Sequence, residues 1–220
     1  MLGIIIPYYN NNRLVEDNFK KLVKILTNQL TKIMILYIYE DGQYSLWLDK
    51  YEKDNVIIKR SKINKGVSHA RNKGINYLIN KVNYILFIDS DDMVDSKYLR
   101  EMARACYTKN YDVVESLFFI NDKLKEYGKN IIRSSVTGTA FDVNIINNNR
   151  FDELLQIGED TKFMSTLWKE KSLKKHLVNV CYFYNLGLNG NSLIMKYMRN
   201  EIGEIRNERW NKRNIRIYWW

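Results

Sequence analysis

Three aspartates follow an apolar run in the middle of the chain, in the segment ILFIDSDD that ends at Asp92. Asp89, Asp91 and Asp92 would repel one another at the end of a buried strand unless a cation neutralised them. Mg²⁺ and Mn²⁺ accept carboxylate oxygens together with substrate phosphate oxygens, and such a cation stabilises a departing diphosphate as a Lewis acid. The alternative is a solvated Asp-rich turn before a helix capped by Asp95 or Ser96.

A second polar segment, NKGVSHARN, runs from Asn64 to Asn72. Gly66 permits a tight turn, and Ser68 can cap a helix whose N-terminus favours anions. Arg71 would then lie in the first turn, where its guanidinium could pair with a phosphate through two hydrogen bonds. An ordinary capped helix with a solvent-facing arginine explains the same residues.

The third signal is the pair Glu159 and Asp160, which follows Gly158. One of these carboxylates could be a general base for a hydroxyl nucleophile. Both could instead complement the dipole of a helix that starts here. The local sequence leaves the two alternatives open.

A parallel sheet would bring these segments together. Short apolar runs alternate with helical spacing through the first half, which is typical of βαβ units and a mainly parallel sheet. Ligands bind beyond the carboxyl ends of such strands, where this chain places polar residues four times. The predicted strands are 3–6, 34–39, 56–59 and 84–88, and the predicted helices are 14–30, 44–52 and the segment from Ser68 to Ile79.

The second half has a less regular pattern. We expect helices over 97–107 and 160–168, strands over 113–120 and 178–184, and a hairpin arm over 123–132 around Gly128. No break in composition separates two domains. This predicts an α/β layer that binds a nucleotide and a mixed layer that binds an acceptor.

Composition limits the class of protein. The chain has 220 residues, with 35 Lys+Arg against 25 Asp+Glu and a net charge of +10. Its 45% hydrophobic residues argue against intrinsic disorder, and two cysteines indicate a reduced, intracellular protein. Neither a signal peptide nor a membrane-spanning run is expected. The positive charge suits an anionic partner such as a nucleotide, a nucleic acid or an acidic membrane, or simply a solvated surface.

Taken in order, these segments resemble the family 2 glycosyltransferases, which have the Rossmann-like GT-A fold. The resemblance covers roughly residues 2–195 and implies one catalytic domain, with a nucleotide-sugar half over about 1–95 and an acceptor half over about 96–195. The segments that carry it are IIIPYYN from Ile4, EDG from Glu40, NKGVSHARN from Asn64, FIDSDD from Phe87, GEDTKF from Gly158, YFY from Tyr182 and GNS from Gly190.

The resemblance implies an inverting transfer of a sugar from a nucleotide donor, usually a UDP-sugar, to a hydroxyl acceptor. Asp160 would be the catalytic base and Glu159 would orient the acceptor. Asp91 would be the principal ligand of Mn²⁺ or Mg²⁺, with Asp89 and Asp92 close by. The implied donor site consists of Pro7 and Tyr9 in the nucleoside pocket, Asp41 at the base, Arg71 at the base or diphosphate, Asp89 at the ribose or sugar, and Asn10, Glu40, Asn64, Gly66 and Ser90.

Two features depart from the family pattern or extend beyond it. Glu40 stands where the family often has aspartate, so contacts with the base could shift. Residues 196–220 combine basic and aromatic side chains with a helical apolar stripe, which suits either contact with an anionic membrane or packing on this domain or on a second copy of the chain. We expect a cytoplasmic enzyme, at the inner membrane face if this tail binds lipid, with a saccharide or lipid-linked saccharide acceptor.

Three other functions remain open at this point. A metal-dependent nucleic-acid-processing or nucleic-acid-binding protein could use Asp89 and Asp91, although the positive charge is spread along the chain and no nucleic acid is expected. A phosphatase with an aspartate nucleophile is disfavoured because its motif usually follows the first strand. A non-catalytic relative is disfavoured by the intact Asp89, Asp91 and Asp160.

His69 and His176 share no spacing typical of metal ligands, and Cys106 is expected in the core.

Overall fold

The computed structural model describes residues 1–10, 12–108, 110–120, 123–125, 135–168 and 173–185. These residues form a single mixed sheet with helices on both faces. The strands are β1 (Leu2–Tyr8), β2 (Met34–Asp41), β3 (Val56–Ser61), β4 (Tyr84–Phe87), β5 (Met93–Val94), β6 (Val113–Ile120), β7 (Lys123–Lys125), β8 (Thr139–Asp142) and β9 (Lys175–Tyr184). The helices are α1 (Arg13–Thr27), α2 (Leu46–Asp49), α3 (Val67–Leu78), α4 (Tyr98–Thr108), α5 (Val143–Ile146) and α6 (Glu159–Trp168).

The strand order is β3-β2-β1-β4-β8-β6-β9-β5, with β7 paired to β6. The first four strands are mutually parallel, whereas β4 pairs antiparallel with β8, β8 with β6, and β9 with β5. β9 lies parallel to β6 across a register shift after Ser116. This is the expected α/β fold, with a parallel half and a mixed half.

Two apolar layers cover the sheet because its central strands are buried on both faces. One layer packs α1 and α4 against the sheet, and includes Phe19 and Cys106. The other packs α3 and α6 against the opposite face, where Ile75 and Phe163 are buried. Strands covered on both sides read as continuous apolar runs, which is why β1 and β4 were predictable.

Several predicted boundaries are wrong. The helix expected over 44–52 is limited to Leu46–Asp49, and the third helix begins at Val67 after Gly66, so Ser68 does not cap it. Arg71 is consequently the fifth residue of that helix, two residues further in than predicted. The short strands β5 and β8 were not predicted.

Other expectations fall where the structure describes little or nothing. β7 pairs antiparallel with β6, as one arm of the expected hairpin would. Gly128, the closing segment at 190–192 and the basic tail at 196–220 lie outside the described residues. Within the described ranges, no helix has the length and apolar character needed to cross a bilayer.

Candidate active site

The turn after β4, which contains Asp89, Asp91 and Asp92 and is called the aspartate turn below, is anchored by residues on and just after β9. The Tyr182 hydroxyl donates to Asp92 Oδ2 at 2.6 Å and accepts from the backbone N–H of Asp89 at 3.0 Å. Asn185 donates its backbone N–H to Asp92 Oδ1 at 2.9 Å and its Nδ2 to the carbonyl of Asp91 at 2.8 Å. Both oxygens of Asp92 therefore accept hydrogen bonds from the protein, and Asp92 is fully buried.

All three carboxyls of this turn resist ionisation. Burial, followed by the nearby charge of Asp89, raises the pKa of Asp91 to about 7. Burial is also the main cause of the raised pKa of Asp89 and of Asp92. A cation beside these groups would offset this cost, because opposite charge favours the ionised form.

Arg71 connects the aspartate turn to the start of α6. Its Nη2 donates to Asp89 Oδ1 at 2.9 Å, and its Nη1 lies 2.5 Å from Asp160 Oδ1 and 3.3 Å from Glu159 Oε1. The Arg71 side chain is only 3% exposed. Its pKa is raised because the attraction of Asp160, Asp89 and Glu159 outweighs the opposing desolvation. The arginine that could have faced solvent is thus a buried bridge between three carboxylates.

The two carboxylates at the start of α6 have different surroundings. Asp160 Oδ2 accepts hydrogen bonds from the Ser135 hydroxyl at 3.1 Å and from the Val136 N–H at 3.0 Å. Glu159 contacts Arg71 only at the longer distance, and burial followed by repulsion from Asp160 raises its pKa to about 7. Gly158 precedes the pair with a φ of 82°, which lets the chain turn sharply into the helix.

A turn fastens the end of β2 to the start of α3. Asp41 Oδ2 accepts the backbone N–H groups of Lys65 at 2.9 Å and Gly66 at 2.8 Å. Gly66 also donates to Asn64 Oδ1 at 2.9 Å and has a φ of 92°, a conformation that favours glycine. Asp41 Oδ1 is buried and has no hydrogen-bond partner among the described residues. This oxygen therefore keeps the capacity to accept a further hydrogen bond.

Glu40, the departure from the family pattern, pairs inside the protein. The Arg60 Nε lies 2.8 Å from Glu40 Oε2, and its Nη2 lies 2.5 Å from Asp49. The guanidinium also stacks over the ring of Tyr44 at 4.4 Å. Glu40 is fully buried, and one of its oxygens is paired with Arg60, its neighbour on β3.

The remaining predicted donor residues lie near the ends of β1 and β4. Pro7 is buried within β1, Tyr9 is 45% exposed, and Ser90 is buried in the aspartate turn. The Asn10 backbone N–H donates to Gln43 Oε1, and its Nδ2 donates to Glu16 Oε2, both at 2.9 Å. The structure thus brings the loops after β1 and β2 into contact at the predicted edge of the sheet.

A clamp that the sequence did not reveal holds the loop before α6. Asn72 Nδ2 donates to the Phe151 carbonyl and its Oδ1 accepts the Phe151 N–H, both at 2.9 Å. Glu153 accepts from Asn72 at 2.9 Å, and its other oxygen lies 2.8 Å from His69 Nδ1. Only the position of Asn72 in the polar segment could have pointed to this role. His69 is thereby used in fastening the loop.

The carboxylates of the aspartate turn fit a cation whose remaining ligands come from a bound phosphate group. No group of three His, Cys, Asp or Glu side chains suited to a metal exists among the described residues. Asp92 is occupied by Tyr182 and Asn185, whereas Asp91 makes no ion pair with any residue in the described ranges. Mg²⁺-type sites commonly use one or two carboxylates plus substrate phosphates, and Asp91 with Asp89 could supply the carboxylates.

Comparison with known proteins decides the class. Residues 3–166 match the family model described as Glycosyl transferase family 2. The chain belongs to this family. The assignment favours the glycosyltransferase over the nucleic-acid-processing alternative. The match contains the first five of the seven segments that carry the resemblance, from IIIPYYN to GEDTKF.

The glycosyltransferase is similar to two curated Bacillus proteins. It is 25% identical over 225 residues to the minor teichoic acid biosynthesis protein GgaB of Bacillus subtilis, covering 90% of this chain and 24% of that protein. It is 27% identical over 177 residues to the poly(ribitol-phosphate) beta-glucosyltransferase of Bacillus spizizenii, covering 78% of this chain and 26% of that one. The chain thus spans about a quarter of the length of these relatives.

Among solved structures, the glycosyltransferase resembles S. aureus TarS 1–349 in complex with UDP. The TM-score is 0.70 at 18% identity, over 84% of this chain and 60% of TarS 1–349. At this identity the likeness establishes the fold, which is that of a GT-A enzyme.

Proposed function

We propose that this glycosyltransferase moves a sugar from a UDP-sugar to a hydroxyl group of a saccharide acceptor, with inversion at the anomeric carbon. The observation that carries the proposal is the Arg71 bridge. It places Asp89, assigned to the donor, beside Glu159 and Asp160, assigned to the acceptor. The two halves of a transfer reaction would meet at this point.

In the proposed reaction, Asp160 accepts the proton of the acceptor hydroxyl as its oxygen attacks the anomeric carbon. The bond between that carbon and the diphosphate oxygen breaks on the opposite side, and its electron pair leaves with the diphosphate. Arg71, Ser135 and the Val136 N–H fix the orientation of the Asp160 carboxylate. Such orientation supports a general base because proton transfer requires hydrogen-bond geometry.

Asp91 would hold Mn²⁺ or Mg²⁺, with Asp89 beside it. A cation bound there would supply Lewis-acid stabilisation of the charge on the departing diphosphate. The high pKa of Asp91 supports this role, since a carboxyl that resists ionisation alone gains most from a nearby cation. Asp41 Oδ1 would receive a hydrogen bond from the nucleobase.

We propose that the acceptor belongs to a cell-surface polysaccharide. The support is the similarity to proteins described as making teichoic acid and glucosylating poly(ribitol phosphate). Contact of residues 196–220 with the inner face of the membrane, and association into oligomers, stay proposals. Co-sedimentation with anionic vesicles of the full chain and of residues 1–195 tests the membrane contact, and equal pelleting would exclude it.

Calorimetric titration with UDP, GDP, CDP and TDP, with and without Mn²⁺, tests the donor site. We expect UDP to bind with Mn²⁺ and the metal-dependent part to disappear in Asp91→Ala. Asp54→Ala, at an exposed carboxylate, is the control and should bind like the wild type. A folded wild-type protein that binds none of the four nucleotides would contradict the proposal.

A further inference from the structure

The aspartate turn reaches β9 through four hydrogen bonds. Two involve the Tyr182 hydroxyl, which donates to Asp92 and accepts from the Asp89 N–H. The other two come from Asn185, to the Asp92 carboxylate and to the Asp91 carbonyl. Every residue assigned to the cation or to the sugar in this turn is therefore tied directly to one of two residues on, or just after, β9.

The ring of Tyr182 is itself fixed in place. It is fully buried and stacks on Phe118 with a centroid separation of 5.6 Å and an interplanar angle of 5°. Gly138 lies against its edge, where a Cβ would approach the ring to 3.0 Å. A side chain held this closely can place its hydroxyl with little freedom.

These hydrogen bonds give the neighbouring carboxylates of Asp91 and Asp92 different surroundings. Asp92 has both oxygens committed to Tyr182 and Asn185, while Asp91 is held through its main chain and makes no ion pair with another described residue. Asp92 thus suits an anchoring role, and Asp91 keeps its carboxylate for a ligand.

We propose that Tyr182 and Asn185 are positioning residues that set the aspartate turn so that Asp91 can hold the cation and its diphosphate. The inference rests on the proposed function, since it concerns the same donor site. Neither residue touches the donor in this role. Each acts through the turn, as outer-shell hydrogen bonds act on metal-binding carboxylates.

Tyr182→Phe tests the inference, because it removes the hydroxyl and keeps the ring. Tyr98→Phe is the matched control, since Tyr98 is fully buried, packs against Tyr182 with ring centroids 6.1 Å apart, and donates its hydroxyl to Ser116 instead of to the aspartate turn. Mn²⁺-dependent UDP binding is measured by calorimetry on the full chain. We expect at least about a tenfold weaker affinity in Tyr182→Phe, and less than about a twofold change in Tyr98→Phe.

Thermal unfolding of both variants shows whether a loss of binding reflects a loss of fold. If Tyr182→Phe does not fold, Asn185→Ala replaces it, because Asn185 is only partly buried. That variant should also bind UDP and Mn²⁺ several-fold more weakly. Hydrogen exchange provides a readout without ligand, and the Asp89 amide should exchange faster in Tyr182→Phe than in Tyr98→Phe.

The outcomes separate the two proposals. If the wild type binds UDP with Mn²⁺ and Tyr182→Phe binds like Tyr98→Phe, the positioning role is overturned and the proposed function stands. If the wild type binds no nucleoside diphosphate, the proposed function fails and this inference falls with it.

Discussion

Asp89 and Asp160 accept hydrogen bonds from two nitrogens of one guanidinium, that of Arg71. The two aspartates come from different halves of the chain, one after β4 and the other at the start of α6. Removing one member of a buried ion cluster leaves charges without a counterion, which costs more than the contact itself contributes. The bridge is therefore both a structural tie and the place where the two proposed substrates would meet.

Replacement of Arg71 by methionine should destabilise the protein strongly. Asp89, Glu159 and Asp160 would lose their shared cation, and we expect the free energy of unfolding to fall by about 3–5 kcal/mol at pH 7. Urea denaturation measures the change. Arg100→Met is the control, because Arg100 is 65% exposed and pairs only on the surface. A loss in Arg71→Met as small as in the control would contradict the bridge.

The raised pKa of Glu159, about 7, predicts a pH-dependent stability. Between its ordinary pKa of 4.5 and the folded value, the folded state holds this proton more tightly than the unfolded state. The contribution of Glu159 is therefore complete below about pH 4.5 and is lost as the pH rises through 7. We expect a loss on the order of 2 kcal/mol in metal-free buffer.

Urea denaturation at several pH values, with wild type and Glu159→Gln, measures this effect. Glutamine resembles the protonated acid, so the variant should lose less stability than the wild type between pH 5 and 7.5. Glu52→Gln, at an exposed position, should keep the wild-type slope. Identical slopes for wild type and Glu159→Gln would show that Glu159 ionises normally.

Gly66→Ala should weaken the donor site as well as the fold. Gly66 has a φ of 92°, and an L side chain there costs about 1–3 kcal/mol. The strain would displace the N–H that Asp41 accepts. Asn76→Ala is the comparison, because Asn76 is exposed on the helix that follows Gly66. UDP affinity should fall in Gly66→Ala and hold in Asn76→Ala at temperatures where both are folded.

Asn72→Ala should loosen the loop that leads to Glu159 and Asp160. The substitution leaves the backbone N–H and carbonyl of Phe151 without the partners they have now, and we expect a loss of about 2–3 kcal/mol. Asn76→Ala on the same helix is the control, since Asn76 is exposed and contacts Arg150. Equal unfolding free energies for the two variants would contradict the clamp.

The parallel half was predictable because its strands are long, apolar and separated by clear helical spacing. The strand β5 has two residues and β8 has four, and neither is long enough to show a period. Arg71 and Asp160 are far apart in sequence, so their ion pair depends on the tertiary fold. The local sequence around Arg71 and around Asp160 marks each residue as a candidate site residue, but it does not show that the two side chains pair.

The contacts of Asp92 could not be predicted from the sequence for a related reason. The family resemblance made Asp91 the principal cation ligand and put Asp92 close by, but it did not show what binds Asp92. The approach of β9 shows this, by placing Tyr182 and Asn185 against Asp92. Tyr182 is 90 residues further along the chain than Asp92, so the local sequence around Asp92 does not predict this contact.

The strand β4 pairs with β1 on one side and with β8 on the other, so hydrogen bonds connect the parallel half of the sheet to the mixed half. A fragment ending near residue 95 would expose the full edge of β4, with its apolar side chains on both faces. Unpaired edges of this kind recruit strands from other molecules. Dividing the chain near residue 95 would therefore give fragments that aggregate, and an exchange of segments between relatives should replace loops and leave the sheet whole.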